Sequence, residues 1–301
     1  MTADIVVVGA NGFIGSRLVK SLSSRGVVKA VSRRPVEEAR AEWIPLSADG
    51  HVDWAPILSP GATVIWAAGN STPASSSRSA AAELASNIAP LVRLLEATRG
   101  APPLRIVFLS TGGAIYGDVM GNAATEKTVI EPRSYYSAGK AAAEAFLCAW
   151  AHQEGHDAVI FRASNVYGSG QPYRPGFGII PTAFHAIRHD VPVAIRGDGE
   201  ATRDYLHVED LASLVAEAAA RTPSPGATTY NASSGQGLSL NALFERIEHI
   251  TGRRVPRTYS PAPAFDVKRV VLDNGLASAA YAWRPSIDIE SGLRQAWAAS
   301  E

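Results

Sequence analysis

Tyr136 and Lys140 stand four apart in the stretch Tyr136-Ser137-Ala138-Gly139-Lys140. In a helix that spacing puts both side chains on one face, and an ammonium beside a phenol favours the phenolate. Such a pair suits proton exchange with a sugar hydroxyl or carbonyl. Alone, a Tyr and a Lys so spaced more often mark a solvated helix face. Tyr135 competes by composition, but its fourth neighbour is Gly139, so Tyr136 is the better candidate. Specificity comes from the pair's company. A strand ending Leu109-Ser110-Thr111-Gly112-Gly113 precedes it, and the chain opens on the turn Gly9-Ala10-Asn11-Gly12-Phe13-Ile14-Gly15 after an apolar run ending at Val8. Gly9 permits the turn, Gly12 leaves room for a phosphate at the backbone, and Gly15 admits close packing of helix on strand. The helix starting near Phe13 offers free N–H groups and partial positive charge to a pyrophosphate.

The elements that must position these residues alternate through the first half. Val27–Val31, Trp43–Leu46, Thr63–Ala67, Leu104–Ser110 and Asp157–Arg162 read as strands after the first, with helices from Phe13 and over Leu84–Thr98 and Ser137–Gln153. Leu84, Ile88, Leu91, Leu94 and Leu95 share one helical face. This series predicts an α/β fold, a Rossmann-like doubly wound parallel sheet whose ligands bind at the carboxyl ends of its strands. After Ser164 the texture changes. Tyr167–Gly178 reads as a loop, Ile179–Arg188, Val208–Ala220, Leu240–Ile250, Leu276–Tyr281 and Ile289–Ala298 as helices, and Val193–Arg196, Thr228–Asn231 and Val270–Leu272 as strands. Residues 1–166 are therefore expected to form a dinucleotide-binding domain, with about 204–232 returning to it, and 167–301 mainly a smaller α/β substrate-binding cap.

Composition narrows the class. The 301 residues are 46% hydrophobic, enough for one large domain or two interlocked ones. Formal net charge is zero with no Lys/Arg stripe, which argues against nucleic acid as a partner. The single cysteine, Cys148, excludes an internal disulfide, points to a reducing compartment and reads as a small buried hydrophobe. No apolar run reaches bilayer length and no signal segment precedes Asp4, so a soluble, cytoplasmic protein is expected. Apart from His207, the histidines show no metal-ligand spacing, and no metal is expected.

The motifs together resemble the extended short-chain dehydrogenases/reductases, in particular their nucleotide-sugar epimerase/dehydratase/reductase branch. The resemblance rests on Gly9/Gly12/Gly15, on Ala67-Ala68-Gly69, and on Asn87 opening Asn87-Ile88-Ala89-Pro90-Leu91. It extends through Ser110 to Tyr116-Gly117-Asp118, Tyr136/Lys140, Arg162 to Gly168, Gly197 to Asp210, and Asp266/Arg269 with Asp273. It implies that Tyr136 is the acid/base and that Lys140 holds the nicotinamide ribose and tunes the tyrosine. Asn11, Phe13 and Ile14 in the first turn, with Ala67, Ala68, Gly69 and Asn87, would line the cofactor, and Asp49, ending strand three, would meet its adenine. Tyr116, Asn165, Arg203, Asp266 and Arg269 would contact a nucleotide-diphosphate sugar, Arg203 through the diphosphate. Asp204, His207, Asp210 and Asp273 read rather as braces or caps. The two long helices are the usual dimer surface of such proteins, which implies a homodimer.

Two departures bear on function. The family's Ser/Thr four residues before the Tyr of the Tyr-Gly pair is Gly112 here, so Thr111, ahead of Ser110, is the candidate hydroxyl. The Asp-Glu pair of the dehydratases is replaced by Gly113 and Ala114, which argues against water elimination. Strand two ends in Ser32-Arg33-Arg34 instead of an acid for the adenosine 2′-hydroxyl, which favours NADP slightly over NAD; two arginines on a solvated loop are the competing reading. The breadth of the motifs puts a nucleotide-sugar 4-epimerase first and an NADPH-dependent 4-keto-6-deoxysugar-nucleotide reductase second. A non-catalytic NADP-binding sensor or scaffold comes last, since both Tyr136 and Lys140 are kept.

Overall fold

In a computed structural model of the chain, residues 4–47, 49–72, 76, 79–262 and 266–300 are described. Chain contacts divide it into two units. The first comprises 1–111, 134–162 and 212–230, and the second 112–133, 163–211 and 231–301.

Strands β1 (Ile5–Val8), β2 (Val28–Ser32), β3 (Ala41–Pro45), β4 (Thr63–Trp66), β5 (Arg105–Thr111) and β6 (Asp157–Ala163) build the first unit's sheet. With β10 (Gly226–Ala232) added at one edge, the strand order is β10-β6-β5-β4-β1-β2-β3. The pairs β1–β2, β1–β4, β2–β3 and β4–β5 are parallel, with Ile5 opposite both Val28 and Thr63. Apolar runs such as Val6-Val7-Val8 and Val64-Ile65 are buried on both faces, as strands covered by helices on both sides require. The order turns back at β1 and β4, which places the Gly9 turn at the sheet's switch point. Leu91, Leu94, Phe108, Leu147 and Trp150 belong to one core. A buried ion pair braces its edge. Arg105 Nη2 meets Asp157 Oδ2 at 2.6 Å, and the guanidinium also donates to the carbonyls of Ala218, Arg221 and Thr222.

The predicted helix over 84–98 is interrupted. A short helix (Ala80–Glu83) runs through a π-turn (Leu84–Ile88) into a second helix (Ala89–Ala97). Pro90 supplies the cause, since it has no N–H to donate and its ring crowds the carbonyl four residues back. The widened turn rotates Leu84 out to 58% exposure, so it does not share the buried face of Ile88, Leu91, Leu94 and Leu95. Cys148 is only half-buried against the core.

In the second unit β7 (Asn165–Tyr167) and β9 (Thr202–His207) pair in parallel. β11 (Gly237–Ser239) and β13 (Arg269–Val270) flank β9, while β8 (Val193–Arg196) pairs with β12 (Arg257–Ser260). A second core gathers Phe184, Ile187, Leu243, Phe244, Ile247 and Leu293. Strand β9 is absent from the sequence reading because Thr202-Arg203-Asp204 breaks the apolar alternation, its polar members being bonded locally. Asp204 accepts from the N–H groups of Ser234, Gly235 and Leu272 and from the Ser234 hydroxyl. Asp210 likewise accepts from Ser286 and Ile287, and Asp273 from the Gly275 N–H. These three are braces.

Candidate active site and dinucleotide turn

The first turn is shaped by what its glycines exclude. Gly9 has φ +87°, and a Cβ there would sit 2.8 Å from the Ala68 backbone. A Cβ on Gly15 would lie 2.0 Å from the Gly9 carbonyl oxygen, and one on Gly12 3.1 Å from it. The helix Phe13–Ser23 starts at Gly12 with no side-chain cap and no acid in its first turn. Its leading N–H groups are therefore not taken by side chains, and a dinucleotide's phosphates fit this cradle. Phe13 and Ile14 are half-buried at its start. Asn11 turns its amide to the carbonyls of Arg34 and Pro35, tying this corner to the end of β2. There the Ser32 hydroxyl donates to the Arg34 carbonyl at 2.6 Å, while Arg33 and Arg34 are exposed.

Ala67 leaves β4 with its N–H on the Val8 carbonyl at 2.9 Å, and Ala68 and Gly69 carry the chain past Gly9. Asn87, on the π-turn, holds that loop. It accepts from the Asn70 N–H at 2.8 Å and donates to Ser71 Oγ and Glu83 Oε1, each at 3.0 Å. Asp49 does not end strand three. β3 stops at Pro45, and Asp49 lies in a turn where Ser47 Oγ and the His51 N–H engage its carboxylate. The Ser47 hydrogen bond, then His51, keeps that carboxyl below the usual range. Strand three runs Ala41–Pro45, ending one residue before the Trp43–Leu46 reading and four residues short of Asp49.

Tyr136 sits in the first turn of the helix Tyr135–Glu154, which Ser134 caps through a capping box with Ser137. The Tyr136 N–H donates to Ser76 Oγ, while neighbouring Tyr135 is 47% exposed. Thr111, at the end of β5, hydrogen-bonds the Tyr136 phenol. Ser110 does not share that duty, because its Oγ donates to buried Glu144 at 2.5 Å. Glu144 is also held by Arg162, Nη2 to Oε2 at 2.7 Å. Lys140 Nζ donates to the Leu109 carbonyl at 2.7 Å and lies 4.7 Å from the centroid of the Phe108 ring.

One expectation is corrected here. Lys140 does not lower Tyr136. Burial raises the phenol above its ordinary value, the Thr111 hydrogen bond opposes that, and the Glu83 charge adds to it. The ammonium is directed to a carbonyl instead. Burial also drives Lys140 down to about 8, against the pull of Glu83 and Glu144.

The substrate candidates lie in the second unit. Arg203 donates to the Val267 carbonyl at 2.6 Å and the Thr202 carbonyl at 2.9 Å, and Arg269 to the Val119 carbonyl at 2.9 Å. Burial lowers Arg203, countered by Tyr205, Asp266 and Asp118. Asp118 straps this segment, accepting from the N–H groups of Lys268 and Arg269 and from Arg133. Burial pushes its carboxyl up, but those donors outweigh it and hold it below the usual range. Asn165 donates to the Asp204 carbonyl at 3.1 Å and lies against Gly113. Tyr116 differs from expectation. It is 2% exposed, and its hydroxyl donates to Asn231 Oδ1 at 2.7 Å, so it braces the unit instead of meeting a substrate. Among the described residues no group of three His, Cys, Asp or Glu could hold a metal, and no helix is long and apolar enough to cross a membrane.

A Tyr–Lys pair on one helix and a glycine corner after β1, both within the first unit, are features that a dinucleotide-dependent enzyme requires. The model of the NAD dependent epimerase/dehydratase family matches residues 5–233, and the chain belongs to that family. UDP-glucose 4-epimerase of Mycolicibacterium smegmatis is 30% identical over 207 residues, 69% of this chain and 66% of that protein. The dTDP-4-dehydro-6-deoxyglucose reductase of Escherichia coli is 28% identical over 189 residues, 63% of this chain and 59% of that protein. Among solved structures, MoeE5 in complex with UDP-glucuronic acid and NAD has a TM-score of 0.90 at 28% identity, covering 99% of each chain.

Proposed function

We propose that the chain is a nucleotide-sugar 4-epimerase, acting by reversible hydride transfer at C4 of a nucleotide-diphosphate sugar. The observation that carries this reading is the Thr111–Tyr136 hydrogen bond, which replaces the family hydroxyl missing at Gly112. The Gly9/Gly12/Gly15 corner, with Ala67, Ala68, Gly69 and Asn87 beyond it, holds an NAD(P) cofactor, and Lys140 its nicotinamide ribose. When bound, the cofactor would supply the hydride acceptor for C4 and the donor for its return. Tyr136, as the phenolate that Thr111 stabilises, takes the C4 hydroxyl proton during oxidation, holds it as the neutral phenol, and gives it back on reduction. Asn165, Arg203, Asp266 and Arg269 bind the nucleotide diphosphate, the guanidiniums matching phosphate oxygens. Gly113 and Ala114 supply no acid–base pair for water elimination, which argues against dehydration.

The second reading, a 4-keto-6-deoxysugar-nucleotide reductase, draws on exposed Arg33 and Arg34, which suit a 2′-phosphate. The purified protein separates the two. Interconversion of UDP-glucose and UDP-galactose, or of the UDP-hexuronic acids, without added nicotinamide supports the epimerase. NADPH consumption with a 4-keto sugar nucleotide overturns it in favour of the reductase. Equal turnover by wild type and Tyr136→Phe would retire Tyr136 from either. Leu84 and Phe146, exposed at 58% and 48% on the two long helical segments, support a homodimer, which light scattering tests.

A further inference from the structure

Glu83 has no part in the chemistry above, yet it is built into the wall beside it. Only 5% exposed, it ends the Ala80–Glu83 helix. Its Oε1 accepts from Asn87, while Oε2 is buried with no hydrogen-bond partner. Its side chain lies on Gly139, the residue just before Lys140 in the reacting helix. A Cβ on Gly139 would stand 2.8 Å from Glu83 Oε1 and 3.0 Å from its Cγ. A buried carboxylate oxygen without a donor is costly unless a nearby charge offsets it. The other acid on that helix is already satisfied: Glu144 is paired with Arg162 and accepts from Ser110. Glu83 has no ion-pair partner among the described residues, and Lys140 is the cation within its electrostatic reach.

We propose that Glu83 is a positioning residue for the Tyr136–Lys140 pair, its carboxylate holding Lys140 as an ammonium, and that Gly139 is glycine because this carboxylate needs the space. The proposal rests on the reading of Tyr136 and Lys140 as the reacting pair. Of the two charges that oppose the burial of Lys140, Glu83 is the larger and Glu144 the smaller. The same carboxylate adds to the rise of the Tyr136 phenol. The polar groups facing the pair are thus Glu83 from the preceding helix, Thr111 and the Leu109 carbonyl from β5, and Glu144 with its Arg162.

Glu83→Gln keeps the amide–carbonyl contact to Asn87 and removes only the charge. Competitive labelling of Lys140 with an amine reagent across pH, read by peptide mass spectrometry on the full chain, reports its titration midpoint. The midpoint is expected to fall by about one pH unit in Glu83→Gln. With the wild-type value at about 8, the ammonium fraction at pH 8 then drops roughly fivefold. Glu83→Asp should restore most of the shift, whereas a brace to Asn87 alone would leave the midpoint where it was. Gly139→Ala, which pushes the carboxylate aside, should move it the same way and serves if Glu83→Gln does not fold. An unchanged midpoint in a folded variant of either kind overturns the proposal. Labelling does not depend on turnover, so a shifted midpoint in a protein without epimerase activity would sink the functional reading and leave the role of Glu83 standing.

Discussion

Replacing Thr111 with valine tests the hydroxyl assignment at the centre of the site. Valine keeps the branched shape that packs at the end of β5, where Thr111 is buried, so the fold should be spared. What is lost is a hydrogen bond to a phenol oxygen that carries negative charge whenever Tyr136 is deprotonated. A bond to a charged group contributes about 1.5–3 kcal/mol, which corresponds to roughly a 10- to 150-fold fall in kcat. The Thr111 bond also opposes the burial that raises Tyr136, so without it the phenol climbs further. The limb of kcat that rises with pH as Tyr136 loses its proton should move to higher pH. Steady-state rates across pH, with unfolding curves alongside, provide the assay. Ser110→Ala supplies the control. Its hydroxyl serves Glu144, so the expected effect is a stability loss of about 1–2 kcal/mol with kcat little changed. A Thr111→Val enzyme at wild-type rate beside a crippled Ser110→Ala would refute the assignment.

Other outcomes follow from the same geometry. Because Lys140 titrates at about 8, its ammonium is lost as pH rises through that value. Cofactor affinity, measured by fluorescence titration, should be level below it and fall above it, and Lys140→Met should be weak and flat throughout. Arg33→Asp, on the exposed turn after β2, should shift preference from NADP toward NAD by roughly tenfold or more, since it removes a charge-assisted contact to the 2′-phosphate; an unmoved NADP/NAD ratio would discard the 2′-phosphate reading of that turn. Leu147, with no exposed area in the first unit's core, should cost about 2–5 kcal/mol as Leu147→Ala, visible as an earlier denaturation midpoint.

The parts of the site legible in the sequence are those fixed by covalent spacing. Three glycines after an apolar strand and a tyrosine four residues from a lysine leave few arrangements open, and both motifs sit where their spacing puts them. The parts that were not legible depend on neighbours distant in the chain. The direction of the Tyr136 shift was misread because nothing local reveals that Lys140 turns to the Leu109 carbonyl. Glu83 after three alanines looks like a solvated helix start, and only Gly139, more than fifty positions on, betrays the close packing. Asp49 depended on where strand three stops, and β3 stops at Pro45, four residues short of it. Tyr116 carries a family pattern, but its burial was set by Asn231, over a hundred residues away. Strand β9 escaped notice because its charged residues are satisfied within the fold and so mimic a loop.

The π-turn ahead of Pro90 makes the length of this stretch part of the machinery. Each residue of an α-helix advances the spiral by about 100°. Deleting one position between 84 and 88 would regularise the helix while swinging Asn87 away from the backbone of Asn70 that it anchors. The segment should therefore accept changes of side chain at Leu84 or Ala85 yet reject any change in its count, a gap-intolerant ruler set into an otherwise ordinary helix.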